Sequence, residues 1–529
     1  MLVSSADTAT TVTPDAAKHV VLIGFDGFDP SYLGRVPTPN LDRIAAEGVQ
    51  GTTQGVMLPI TTPSFTALAT GTWPVTNGTL TYYYDRATNT FHTSSPPSRV
   101  PTIAEAVRDA GGTVGAAQYF AFRGNGTAYG DADGLYTQPG GECSNMFDDA
   151  IAMLRTEPVD SNGTTVTMSQ MPTLLGVYCP QLDHVGHDQG AESPQIATAL
   201  AELDAQVGRL LDTLDDLGIA DDTTVIVTGD HGMSTYTQRY TLPLYTALGA
   251  AGYDTQALLL DGQPVDPDAD VLVVPAAGRD TSIYLVGDLA GDAAALADIT
   301  RISLQTEGVA RVFDRDDQAA MHMNPEFGDL ILEGASGWSS GILPVDHPMG
   351  DHGSTSELDA AFFMAGAGVT PRAEPVQVCH VNVAPTIASL LGLPPLPDAD
   401  GGALDGDYDD IEGCPLVIPG DETSTTTTTT EVPATTTSTT SDPTTSTTPT
   451  PSTVTPSTVT PSTAPPEPTS STTAGPTTPD PTPAAPTTTG PATTGAPVPP
   501  VDAAHATRTV PPHPAPVADA VAVDPRYTG

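Results

Sequence analysis

Along this chain the apolar residues fall into short runs separated by amphipathic stretches, a pattern that holds to about residue 415 and then stops. Residues 19–25 (HVVLIGF) are β-branched and almost continuously apolar. Such a run predicts a strand buried on both faces, here delivering Asp26-Gly27 at its end. Residues 113–120, 173–179, 223–228 and 361–365 are further runs of this kind. Residues 38–49 (TPNLDRIAAEGV) read as a capped helix closed by Gly48. The clearest helix spans residues 194–217, where Ile196, Leu200, Leu203, Val207, Leu210, Leu211 and Leu214 recur at helical spacing. Buried strands alternating with helices predict an α/β fold, a mostly parallel sheet with helices on both faces. In such sheets, sites form at the carboxyl ends of the strands. Between about residues 235 and 345 the alternation breaks into a strand-like run (281–286), a helix-like run (293–306) and GDLILEG. That stretch predicts an inserted α+β subdomain that shapes the pocket.

From about residue 420 the chain is Thr, Pro, Ser and Ala, as in ETSTTTTTTEVPATTTSTTSDPTTSTTP. A segment so poor in aliphatic residues buries too little apolar surface to offset the entropy of ordering it. Residues 420–529 are therefore expected to be a disordered tail, stiffened by proline into a spacer or stalk. This composition is often O-glycosylated in secreted proteins. The folded domain is then expected over residues 19–415, preceded by a polar leader at 1–18. That leader lacks the charged and apolar regions of a signal peptide. Export is inferred from the stalk, which makes the protein secreted, or associated with the cell surface through its tail. No run of about 18 apolar residues is present, so no transmembrane segment is expected. Four cysteines, Cys143, Cys179, Cys379 and Cys414, allow two disulfides. A Cys379–Cys414 bond would tie down the end of the folded region.

Charge sharpens the functional classes. The formal net charge is -47, and Lys18 is the only lysine. After residue 420 there are nine acidic residues against Arg508 and Arg526, so the tail accounts for only -7 and the rest carries -40. A surface this acidic excludes a nucleic-acid scaffold as partner. It suits an enzyme of anionic substrates only where bound cations reverse the local sign.

Four separated places put metal-ligand residue types directly after apolar strands. They are Asp26 in VLIGFDGFD, Asp183 and His187 in VYCPQLDHVGH, Asp230 and His231 in VIVTGDHGM, and His352 in GDHGSTSE. Singly, each has an ordinary explanation as a cap or a solvated loop residue. Together, six Asp/His side chains supply two sets of three ligands, a mixture that suits zinc with one position left open on each ion. Two such ions about 4 Å apart stabilise the attacking and leaving oxygens of an in-line phosphoryl displacement. His184, inside the same DHVGH run, is excluded by its spacing. A nucleophile is sought in LPITTPSFTALATGTWP, where a strand at 55–58 leads into Thr61-Thr62-Pro63 and a helix from about Pro63. Proline in a first helical turn after a small hydroxyl residue is an ordinary cap. The same helix terminus also suits phosphate, and a hydroxyl there in contact with a metal would ionise and attack phosphorus.

In this order the motifs resemble the alkaline phosphatase superfamily, in its type I phosphodiesterase/nucleotide pyrophosphatase branch. The resemblance covers residues 20–395, through VLIGFDGF, TPNLDRIAAEGV, TTPSFTALATGTWPVTNG, D-x-x-x-H, DHGM, GDHGS and HVNVAPTIASLLGLPP. It implies an alkaline-phosphatase-like fold and two zinc ions, one held by Asp183, His187 and His352 and the other by Asp26, Asp230 and His231. By the family's Thr-x-Pro spacing it makes Thr61 the nucleophile. The implied reaction is double displacement through a phosphothreonine on a small phosphodiester or nucleotide-like substrate. The branch usually carries Asn three residues after the nucleophile, as a phosphate contact, and here Ser64 stands there. Tyr84, after the nucleophile helix, is a further candidate substrate contact, stacking on a base or aryl group. Rival readings are a phosphomonoesterase or phosphonate hydrolase using the same metals and, outside enzymes, a stalk-displayed binding protein with a degenerate catalytic domain. The last predicts lost ligands, and all six are present.

Overall fold

The computed structural model describes residues 13, 15–404, 416, 418 and 419. The stalk expected over 420–529, Cys414 and most of the polar leader lie outside the described residues. Where the leader is described, the Asp15 and Ala17 amides donate to the Ser389 and Leu390 carbonyls. No helix among the described residues is long and apolar enough to cross a membrane.

Eight strands form the central sheet. In chain order they are β1 (His19–Phe25), β2 (Gly48–Gln54), β3 (Val114–Ala117), β4 (Gly134–Thr137), β5 (Leu174–Cys179), β6 (Thr223–Thr228), β7 (Asp359–Gly366) and β8 (Val376–Cys379). In space they lie β8-β2-β7-β6-β1-β5-β3-β4. The three most apolar runs, β5, β1 and β6, take the middle and pair in parallel, burying both faces as their composition requires. Only β7 runs against its neighbours, antiparallel to both β6 and β2.

Alternation along β1 sorts the helices into two layers. Val21, Ile23 and Phe25 face one core, with Leu41 and Ile44 of α1 (Pro39–Glu47) and Leu200, Leu203 and Val207 of the long helix Pro194–Leu217. Val20 and Leu22 face the other, with Phe65 and Leu68 of α2 (Thr61–Thr70) and the helix Val383–Leu390. The expected fold class, a mostly parallel sheet covered on both sides, is the one observed.

Local boundaries differ in two places. No strand runs through residues 55–58; the ladder lies earlier, at Gly48–Gln54, and starts directly where α1 stops. Gly48 therefore closes the helix and opens the strand at once. A Cβ there would lie 2.0 Å from the Met364 carbonyl, so the crossing to β7 admits no side chain. Helix α2 begins at Thr61 rather than near Pro63, with Ile60 as its cap.

The stretch 235–345 holds a five-stranded sheet of its own, in the order Thr255–Ala257, Val271–Ala277, Asp280–Leu285, Leu330–Gly334, Val309–Phe313. The helices Thr241–Ala251 and Ala293–Gln305 cover one face through Leu244, Leu248, Ile299 and Ile302. Arg279 anchors this sheet. Its guanidinium donates to the Trp338, Gly334 and Ala335 carbonyls, to Ser354 Oγ and to Glu357 Oε1. Cys379 is disulfide-bonded. Cys143 and Cys179 are free, buried and in mutual contact, and burial pushes the Cys179 thiol well up.

Gly24 decides how closely α2 approaches the sheet. A Cβ there would stand 2.4 Å from Phe65 Cε1. Gly24→Ala is expected to destabilise the protein by about 1–3 kcal/mol through overpacking. Denaturant unfolding checks this; an unchanged midpoint would show that Gly24 does not set the seat of Phe65.

Candidate metal centre

The site forms along the edge where β1, β5 and β6 end. After β1, Asp26 is followed by Gly27 at φ +68°, and a Cβ at Gly27 would lie 3.0 Å from Asp183 Cα. This tight turn brings the two segments together, and the Gly27 amide donates to Asp230 Oδ1 at 3.0 Å. After β5, helix α3 (Gln181–Gln189) carries Asp183 in its first turn and His187 in its last. Four residues apart on a helix, they share a face, and Asp183 Oδ1 lies 3.2 Å from His187 Nε2. Asp230 and His231 follow β6 directly. His352 also follows a strand, the short Met349–Asp351, but that strand lies outside the central sheet, and His352 precedes β7. Since β7 is antiparallel, its start lies at the same edge as its neighbours' ends.

The three histidines are oriented alike. Nδ1 of His187 faces the Gly350 carbonyl at 3.0 Å, that of His231 the Gly232 carbonyl at 2.9 Å, and that of His352 the Pro59 carbonyl at 2.9 Å. Each Nε2 is thereby directed inward. The His231 and His352 rings stack 3.6 Å apart at 14°. His231 Nε2 lies 3.3 Å from Asp26 Oδ1 and 3.2 Å from Asp230 Oδ2, and His352 Nε2 lies 3.7 Å from Asp183 Oδ1. Asp26 Oδ1, Asp183 Oδ1, Asp230 Oδ2, His187 Nε2 and His352 Nε2 are buried without a hydrogen-bond partner. Buried polar atoms left unpartnered are costly and uncommon. Here they point at one another, as a donor set for cations does.

All six sequence-derived ligand candidates meet in this cluster. Three overlapping groups have their ligand atoms within 4.8 Å of one another: Asp26, Asp230 and His231; Asp183, His231 and His352; His187, Asp351 and His352. Asp351 was not singled out by sequence, although Asp351-His352-Gly353 repeats the Asp-His-Gly of 230–232. Its carboxylate accepts from the His352 amide at 3.1 Å and from Ser339 Oγ at 2.5 Å. Tyr178 was also missed, a lone polar tip in an apolar strand, and its hydroxyl donates to Asp26 Oδ2 at 2.5 Å.

Thr61, the first residue of α2, has its Oγ1 3.5 Å from His231 Nε2. Ser64 is fully buried one turn later, with its hydroxyl unpartnered. Tyr84 sits elsewhere. It packs on the far face of the five-stranded sheet with Phe91, Leu272 and Tyr284, and its hydroxyl donates to Asn89 Oδ1 at 2.7 Å.

The chain is similar to known proteins over most of its folded part. A family model described as type I phosphodiesterase/nucleotide pyrophosphatase matches residues 20–355. Ectonucleotide pyrophosphatase/phosphodiesterase family member 7 of Mus musculus is 25% identical over 429 residues, spanning 74% of this chain and 88% of the relative. The bis(5'-adenosyl)-triphosphatase of Xenopus laevis is 24% identical, spanning 72% of this chain and 79% of the relative. Among solved structures, murine ectonucleotide pyrophosphatase/phosphodiesterase 5, in an inactive form in complex with AMP, superposes with a TM-score of 0.57. At 18% identity it covers 74% of this chain and 100% of its own, which is a likeness of fold.

Without metal, the cluster holds charge by internal pairing. Burial would push the His187 imidazole down, but the Asp183 carboxylate outweighs it and lifts the group to about 9. His231 is likewise driven down by burial and lifted to about 10 by Asp230 and Asp26. Both lie above the ordinary 6.5. Their contribution to stability is thus full below 6.5 and lost as pH rises through about 9 and about 10. Thermal unfolding of chelator-treated protein is expected to show this alkaline loss. A midpoint insensitive to pH over that range would show that the imidazoles are not paired as charged groups.

Proposed function

This chain belongs to the type I phosphodiesterase/nucleotide pyrophosphatase family, and on that footing we propose that it is a metal-dependent hydrolase of phosphodiester or pyrophosphate bonds with Thr61 as nucleophile. The observation that supports this most is the convergence of buried, unpartnered Asp and His atoms beside the Thr61 hydroxyl. Asp183, His187 and His352 would hold one divalent ion, and Asp26, Asp230 and His231 the other. Imidazole and carboxylate in this mixture favour zinc. When bound, such ions supply positive charge for the phosphate oxygens and lower the pKa of a nearby hydroxyl or water.

The protein's own residues account for the rest. Thr61, at the start of α2, aims its oxygen from a helix terminus whose dipole favours an anion. Oγ1 forms a bond to phosphorus while the bond to the leaving alcohol or nucleotide breaks. Water then cleaves the phosphothreonine and restores the hydroxyl. Ser64, buried one turn on, is the proposed second contact to phosphate, a shorter donor than asparagine at that position. Nucleotide-like substrates are favoured by two relatives, one named as a bis(5'-adenosyl)-triphosphatase and one held in complex with AMP. The ectonucleotide names and the Thr/Pro-rich composition after residue 420 support work outside the cell. In the same reading, residues 235–345 are an inserted subdomain flanking the pocket.

Purified protein is expected to contain zinc and to cleave bis-p-nitrophenyl phosphate and a p-nitrophenyl nucleotide ester faster than p-nitrophenyl phosphate. Absence of both metal and turnover would overturn the proposal, and faster monoester cleavage would overturn its diester preference. Thr61→Ala is expected to lower turnover by roughly a thousand-fold or more while metal content stays. Retained activity in that variant would assign the attack to Thr62 or to water.

A further inference from the structure

Most outer contacts of the metal-centre residues are made to backbone. The Gly350, Gly232 and Pro59 carbonyls orient the histidines, and the Gly27 amide holds Asp230. Asp26 differs, because a side chain holds it: the Tyr178 hydroxyl on its Oδ2. Asp26 Oδ1 then lies 3.3 Å from His231 Nε2 with no hydrogen-bond donor of its own. We propose that Tyr178 is a positioning residue for the metal centre, its hydroxyl fixing Asp26 as a one-oxygen ligand aimed at the ion shared with Asp230 and His231. This rests on the metal-dependent reading of the site.

The scaffold around Tyr178 supports that role. Tyr178 pairs with Gly24 across the β5–β1 ladder, so its side chain leaves the sheet on the α2 side. There the ring meets Phe65 edge-on at 5.2 Å and Phe120 at 5.1 Å. A phenylalanine would fill this aromatic cluster equally well, so packing gives no reason for a hydroxyl. The Asp26 carboxylate does. The Tyr178 hydroxyl is the donor in the contact with Asp26 Oδ2.

The position of Tyr178 in the chain adds a consequence. It stands one residue before the end of β5, the strand that leads into α3 with Asp183 and His187. It therefore ties the strand serving one ion to the carboxylate serving the other. A carboxylate freed of such an outer partner can rotate, and losses of about 10–100-fold in metal affinity are typical of removing one.

The test compares wild type, Tyr178→Phe and Phe120→Leu, each stripped of metal and titrated with zinc against a chromophoric chelator. Tyr178→Phe is expected to bind one zinc about 10–100-fold more weakly and the other as in wild type. The metal-free form should still unfold in one cooperative transition, with a midpoint lowered only by the loss of one buried hydrogen bond. Its cobalt-substituted form should show an altered visible spectrum for the weakened ion alone. Phe120→Leu, which trims the aromatic packing but keeps the hydroxyl, should bind both ions as wild type does. Two zinc ions of unchanged affinity in Tyr178→Phe would overturn the inference while leaving the metal centre standing. Equal weakening in Phe120→Leu would also overturn it, by assigning the effect to packing. A wild type that binds no zinc would overturn the metal-centre reading and this inference together.

Discussion

Everything at the site follows from burying several carboxylates and imidazoles with their donor atoms facing one another. In a medium of low polarity, like charges at this range raise each other's free energy steeply. Asp230 records the strain: burial, and then the neighbouring Asp26, push its carboxyl well above the usual range. The chain has little of its own with which to relieve it. Its single lysine pairs at the surface with Asp222, and the deeply buried Arg279 spends its donors on Glu357, Ser354 and backbone carbonyls. Divalent cations are the missing counter-charge in the reading proposed here. The same constraint makes sense of an acidic protein acting on anions, since substrate would meet the ions rather than the surface potential.

Sheet topology makes such a cluster possible. Parallel strands place their carboxyl ends along one edge, so Asp26, Asp183 and Asp230-His231 arrive from β1, β5 and β6 without long excursions. An antiparallel strand reverses which end is useful, and β7 accordingly contributes through the segment before it. The backbone then does much of the aiming. Because the histidines are oriented by main-chain carbonyls, their geometry depends on the loops holding their path more than on the identity of neighbouring side chains.

Much of this was legible in the amino-acid order, and the reasons differ by feature. The central strands were readable because burial on both faces demands continuous apolar runs, as in HVVLIGF and TTVIVT. The ligand candidates were readable because Asp and His beside such runs are chemically distinctive and recur four times. Placing a strand at 55–58 failed because GVML is as apolar as a strand, yet β2 had already been formed by the polar-looking GVQGTTQ, whose pairing with β7 and β8 overrides its weak pattern. Tyr84 had only its nearness in sequence to the nucleophile motif to recommend it. An aromatic near a catalytic motif resembles a stacking platform, and only the tertiary structure shows it facing a different sheet. Tyr178 and Asp351 carried no periodic signal at all, because their significance lies in what they touch.

The two Asp-His-Gly segments, at 230–232 and 351–353, bracket the whole five-stranded sheet. One opens the excursion and the other closes it, and Arg279 fastens the sheet to Ser354 and Glu357 just beyond the second. The Arg279 amide also donates to the His352 carbonyl at 2.7 Å, so the excursion is held to the ligand cluster from within as well as at its two ends, and a shift in its sheet is felt at His352.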